Sequence, residues 1–203
     1  MRDLQPRQEA PQKREGLRER KRRETSQRIS DAALELFLDK GYEATTLDEI
    51  AEAAGISRRT FFYYFESKDE ILTAYLGRRT DELMAAVLDS SSAGEPIDVV
   101  RNALLKLASH VGDRKTMATA RLVSGSEFLR IRNQGRYLKF EQGVADALFE
   151  IWPKKERRDG LRLVAMVSIG ALRLAVDDWL EQGGKRPLAK YIEDAFRNLK
   201  AEI

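Results

Sequence analysis

The chain has 203 residues, 42% of them hydrophobic, enough to bury a core as one sizeable domain or as a small module joined to a larger one. It has no cysteine and a single histidine, His110, which leaves no material for disulfides, thiolate metal sites or a histidine-based zinc centre. Its 36 basic and 33 acidic residues give a net charge of only +3, so the distribution of charge says more about partners than the total.

Residues 1–24 hold nine Lys/Arg against five Asp/Glu, with Pro6, Pro11 and Gly16 and little that is apolar, and read as a flexible basic arm. Such an arm is either a solvated tail or an extension that follows DNA phosphates or a minor groove. It contains no apolar run of the secretory type, and no later stretch approaches the roughly 20 apolar residues that span a bilayer. The expectation is a soluble, cytoplasmic protein with no membrane partner.

Beyond the arm the pattern is helical throughout. Ile29, Ala33, Leu36 and Phe37 fall on one stripe of a first helix, with Gly41 placed as its C-cap. Thr46 and Glu49 have capping-box spacing ahead of Leu47, Ile50, Ala51 and Ala54, and Gly55 ends that second, short helix. Ser57 is placed to cap a third, and Ser67 with Glu70 to start a fourth. A short helix, a Gly-containing turn and another short helix make a helix-turn-helix.

The third helix carries five consecutive aromatic residues, Phe61, Phe62, Tyr63, Tyr64 and Phe65. At 100° per residue, Phe61 and Phe65 share the side that Ile56 can join against Ile50, Ala54 and Phe37, and they are expected core. Arg59, Thr60 and Tyr63 point the opposite way, and Phe62 and Tyr64 lie on the flanks. A guanidinium for guanine edges, a methyl for thymine and a phenol for phosphate or base are the chemistry of DNA reading.

The fourth helix continues to the loop "SSSAGEP", where Pro96 can open a fifth. A short sixth, "KTMATARLV", precedes a long seventh that runs up to Trp152 and Pro153. The eighth, "LRLVAMVSIGALRLAVDDWLEQGG", is apolar around more of its circumference than one packing face needs, and Gly183 and Gly184 close it. "PLAKYIEDAFRNLKAEI" is the ninth, with Tyr191, Phe196 and Leu199 for packing. Large adaptable residues among these helices, Met117, Phe128, Tyr137, Phe140 and Met166 foremost and Tyr75, Met84 and Trp179 beside them, could line a ligand cavity or be plain core. Arg121 and Arg173 could meet an anionic ligand, although Asp177 offers Arg173 an ordinary i,i+4 ion pair, the reading favoured here.

Residues 32–72, "AALELFLDKGYEATTLDEIAEAAGISRRTFFYYFESKDEIL", resemble the N-terminal DNA-binding domain of the TetR/AcrR family of bacterial transcriptional regulators. The pieces "ALELF", "GYEATT", "IAEAAGIS" and "FYYFESKDEIL" stand in the family's order and spacing, over about a fifth of the chain. The resemblance implies an all-α protein: a three-helix helix-turn-helix domain, here residues 25–70, and a larger helical effector-binding and dimerisation domain, residues 71–203. It implies a homodimer on a double-stranded operator with an inverted repeat, joined through the last two helices of each subunit. By position, Thr46, Tyr64 and Lys68 match family phosphate contacts, and Ser57, Arg58, Arg59, Thr60 and Tyr63 match the groove-facing set. Phe62 stands where many relatives have tyrosine, so its ring is left for sugar or a thymine methyl. The function implied is a repressor released by a small apolar or amphipathic effector, with a ligand-dependent activator or a non-specific structural DNA binder as alternatives. No nucleophile elbow, phosphate loop or zinc-protease motif is present, so neither an enzyme nor a resident cofactor is expected.

Overall fold

A computed structural model describes residues 16–90, 94–109, 114–125 and 127–202. Among these lie nine α-helices: α1 (Leu17–Lys40), α2 (Leu47–Ala53), α3 (Arg58–Tyr64), α4 (Lys68–Leu88), α5 (Pro96–Ser109), α6 (Arg114–Gly125), α7 (Glu127–Ile151), α8 (Arg158–Glu181) and α9 (Leu188–Glu202), with a 3₁₀ turn at Lys155–Arg157. His110 and the side chains of Tyr75 and Phe128 fall outside the description.

Local chemistry fixes most of the boundaries. The Glu49 amide donates to Thr46 Oγ1 at 3.4 Å while Thr46 N–H and Oγ1 both donate to Glu49 Oε2, at 2.9 and 2.7 Å, which closes the box at the start of α2. Ser57 accepts from the Thr60 amide at 3.1 Å and Ser67 from the Glu70 amide at 3.2 Å, capping α3 and α4. α2 ends in a Schellman motif: Ile56 N–H donates to Ala51 O and Gly55 N–H to Glu52 O, with Gly55 at φ +65°. Gly183 and Gly184 end α8 the same way, through Leu180 O and Trp179 O.

The arm differs from expectation. Residues 1–15 lie outside the description, but residues 17–24 are the opening turns of α1, not a flexible tail. Leu, Arg, Lys and Glu all propagate helix well. Glu19 also accepts from the Gly16 amide at 3.3 Å, and Arg20 pairs with Glu24 at 3.4 Å.

Two apolar cores form. The first joins Ile29, Ala33 and Phe37 of α1, Ile50 and Ala51 of α2, and Phe61 of α3, with Phe65 behind it; Phe61 is fully buried. Ile71 and Leu72 of α4, Val123 of α6 and Leu129 of α7 complete it, so the division expected at residue 70 does not separate the packing. An amphipathic helix as long as α4 serves both cores, because Leu83, Ala86 and Val87 further along it enter the second, with α5, α7, α8 and α9. Where α4 meets α7, a Cβ on Gly143 would lie 2.0 Å from Met84 Sδ, so a larger residue there would oblige the flexible Met84 side chain to move.

Candidate nucleic-acid interface and cavity

α3 is held by its inner face and open on its outer one. Phe61 and Phe65 pack inward with ring centres 6.2 Å apart, while Tyr63 is 70% exposed and Phe62 47%. Arg59 is exposed, with no ion-pair partner among the described residues. Thr60 is half-buried, and its hydroxyl shares a 2.8 Å hydrogen bond with Ser57, which leaves its methyl as the group to offer outward. Tyr64, half-buried, sets its ring edge-on to Tyr63 at 5.2 Å.

The remaining residues of the sequence-predicted set are occupied within the protein. Arg58 donates through Nη1 to both carboxylate oxygens of Asp48 at 2.9 Å, tying α3 to α2, and its guanidinium lies 5.7 Å from the Phe62 ring centre. Thr46 is exposed but engaged in its cap, where Glu49 also accepts from Lys40. Lys40 chiefly, and Thr46 next, hold the Glu49 carboxyl down at about 2. Lys68 departs furthest from a phosphate contact. Its ammonium donates to the carbonyls of Tyr42 at 2.8 Å and of Glu43 and Thr45 at 3.3 Å, and lies 4.5 Å from the Tyr42 ring centre. Three acceptors use all three of its N–H groups, so in this geometry Lys68 clamps the α1–α2 turn. One contact was not legible beforehand: Arg22 of α1 stands 5.9 Å from the Tyr63 ring centre.

In the second core lies a cavity of about 320 Å³. Leu83, Leu104, Phe140, Leu172, Trp179 and Ile192 make much of its apolar wall, and Arg130, Arg136, Arg173, Asn133, Gln134 and Asp177 its polar part. Tyr137 also lines it, with Arg136 and Arg173 at 5.1 and 5.3 Å from its ring centre. Of the residues expected at a ligand site, Tyr137, Phe140 and Arg173 therefore line this cavity. The Arg173–Asp177 ion pair expected from their spacing does not form; Arg173 turns to the ring instead. Burial raises the Asp177 carboxyl above its ordinary value, partly offset by the field of Arg173, with Asp178 adding to the rise.

Met117 and Arg121 line a separate hollow between α1 and α6 with Phe37, Leu38 and Leu122. Met117 also reaches the α8–α9 turn, where a Cβ on Gly184 would be 2.4 Å from its Cε. Met166 is not among the residues that line the cavity, and half its surface is exposed, as are large parts of Leu163, Val167 and Leu174 on α8. Arg130, Arg136 and Asp177 were missed because charged positions on amphipathic helices carry no periodic signal for a hole in the packing.

Comparison with known proteins agrees with this architecture. The model of bacterial regulatory proteins of the tetR family matches residues 29–75, and the MftR C-terminal domain matches residues 94–203. The transcriptional regulator TcmR of Streptomyces glaucescens is 41% identical over 99 residues, 48% of this chain and 43% of TcmR, so the match spans less than half the length of that relative. The transcriptional activator FasR of Mycolicibacterium smegmatis is 27% identical over 179 residues, 78% of this chain and 73% of its own. The Thermus thermophilus FadR structure, a TetR-family transcriptional repressor in complex with lauroyl-CoA, superposes with a TM-score of 0.57 at 25% identity, covering 85% of this chain and 91% of FadR. With a helix-turn-helix whose outer face is open and a matching C-terminal domain over more than half its length, the chain belongs to the TetR family of bacterial transcriptional regulators.

Proposed function

We propose that the protein is a homodimeric repressor that binds an inverted-repeat operator and releases it when an anionic amphipathic molecule fills the α4–α9 cavity. In this reading Arg59, Thr60 and Tyr63 meet base edges and Phe62 lies against sugar or a thymine methyl. Tyr64, Thr46 and Ser57 stand nearest the phosphates. The subunits meet through α8 and α9. Leu163, Met166, Val167 and Leu174 form one exposed apolar stripe on α8, more than a solvated helix has use for.

The ligand class follows from the lining. Three arginines and one aspartate share the lining of a largely apolar space, a net positive charge, so an acidic head with a hydrocarbon or aromatic tail satisfies both parts. The lauroyl-CoA held by the FadR relative has that chemistry and supports the assignment.

The observation that carries the reading is Val123, which lines the cavity and belongs to the core of the DNA-reading module. A ligand that displaces α6 must therefore disturb the packing behind α3. Release requires the ligand to prefer the DNA-incompetent state by about 1 to 3 kcal/mol, and operator DNA must weaken the ligand by the same amount. The relative FasR is an activator, so the sign of control has a second reading in which the liganded form is the one that binds. The experiment is selection of bound duplexes from a random pool, then titration of the recovered operator with carboxylic acids and acyl thioesters that raise the melting temperature. An inverted repeat and ligand-driven release are expected. Ligands that stabilise the protein yet leave operator affinity unchanged at fixed salt defeat the switch, and ligands that tighten binding establish the activator.

A further inference from the structure

The opening turns of α1 project beyond the core that the rest of the helix helps to build. Arg22 and Arg18 lie seven and eleven residues before Ile29, on the stripe that continues through Ile29 and Ala33 into the reader core, and Lys21 adjoins it. Within the module that stripe is fully buried at Ile29 and Ala33; from residue 16 to residue 24 nearly the whole surface is exposed. The residues change from apolar to cationic where the protein beneath them ends. Residues 17–24 carry five basic side chains against two acidic ones. One contact shows which side of the module the overhang adjoins: Arg22 lies over the ring of Tyr63, on the open face of α3.

We infer that this overhang is a second DNA-contacting surface, in which Arg18 and Lys21, aligned by the Arg22–Tyr63 contact, hold phosphates bordering the groove that α3 enters. The inference rests on the DNA-binding reading of α3. The occupant is a polyanion rather than a second protein chain because the face offers cations and almost no apolar area, Leu17 apart. From Leu17 to Ser26 the helix extends about 14 Å at 1.5 Å per residue, long enough to pass from the wall of a major groove about 12 Å wide to the neighbouring backbone. Contacts of this kind carry no sequence information and add affinity to every site alike.

The test uses the full chain and a duplex recovered by selection with that chain. Arg18→Gln/Lys21→Gln leaves Arg22 and Tyr63 untouched and replaces exposed residues with a good helix former. Lys154→Gln/Lys155→Gln, on an exposed turn elsewhere, makes the same charge change and serves as the control. Removing one cation from a phosphate lowers the slope of log affinity against log salt by about 0.9 and the affinity about fivefold at 0.15 M salt. The double variant is expected to neutralise about two phosphates fewer per subunit, and Arg18→Lys/Lys21→Arg to match the parent. Single methylphosphonate substitutions in the duplex should reveal phosphates whose neutralisation weakens the parent but not the double variant. A slope equal to that of the control, or methylphosphonate profiles identical in parent and variant, overturns the clamp while leaving sequence-specific binding by α3 intact. Failure of the parent to select any sequence would overturn the DNA-binding reading itself.

Discussion

Replacing Lys68 by methionine separates two accounts of this residue, because the substitution keeps the apolar stem and deletes only the ammonium. Lys68 is the first residue of α4, where the helix dipole disfavours a cation. The cost is offset by three carbonyls of the α1–α2 turn, at 2.8, 3.3 and 3.3 Å. The close, part-buried bond to Tyr42 O contributes about 1.5 to 3 kcal/mol as a charge-assisted hydrogen bond, and the two longer ones, on a turn that water reaches, add little. Lys68→Met is therefore expected to destabilise the protein by about 2 to 3 kcal/mol. At about 2 to 4 °C per kcal/mol for a chain of this size, the melting temperature should fall by roughly 5 to 10 °C. Operator affinity should fall by a similar factor at every salt concentration, because the turn that positions Thr46 has loosened while every phosphate keeps its partner. A phosphate-binding lysine behaves oppositely: melting is unchanged and the salt slope drops by about 0.9 per half-site. That second pattern, in melting curves and salt titrations run together, would refute the turn-clamp assignment.

Other expectations follow from the same geometry. Arg59→Ala should cost about 1 to 3 kcal/mol in operator binding and relax preference at one position per half-site, whereas Arg58→Ala, which breaks an exposed pair with Asp48, should cost under about 1 kcal/mol of stability; quantitative binding to a single-base variant library compares them. The Glu49 carboxyl is held at about 2 against an ordinary 4.5, so its contribution is complete above about pH 4.5 and lost as pH falls towards 2. Melting curves of the parent should then drop more steeply over that interval than those of Glu49→Gln, and parallel curves would contradict the assignment. Asp177 is raised by burial, so its charged form opposes folding: Asp177→Asn should be more stable than the parent at neutral pH, the difference fading below the ordinary value of 3.8. The same variant should bind acidic ligands more tightly in calorimetry, and Arg173→Ala less tightly. Leu174→Arg places a charge in the exposed α8 stripe and should turn a dimer into a monomer by light scattering with its helix content unchanged.

The sequence was most legible where chemistry is local. Thr46, Ser57 and Ser67 cap helices as their spacing requires, and Gly55 and Gly183 supply the positive φ that ends α2 and α8. Phe61 and Phe65 could be assigned inward and Tyr63 outward because a helical wheel needs no knowledge of distant residues. Legibility failed where a side chain chose between near and far partners. Lys68 takes carbonyls 23 to 26 positions away, and Arg173 leaves Asp177, four residues on, for Tyr137 in another helix. Met166 shows a third limit, since an apolar residue on a helix apolar around most of its girth can face a cavity, a core or the outside. The opening of α1 was misread as an arm because charged residues without an apolar stripe look alike in a tail and in an overhanging helix.

The contact between Met84 and Gly143 makes the seam between α4 and α7 sensitive to a single added methyl group. A Cβ at position 143 would overlap Met84 Sδ and Cε, so any larger residue there obliges the thioether, or α4 with it, to move. Met84 stands sixteen residues, about 24 Å at 1.5 Å per residue, from Lys68 at the other end of the same helix. Because α4 is built into both cores, a displacement that relieved the overlap would be felt in each of them.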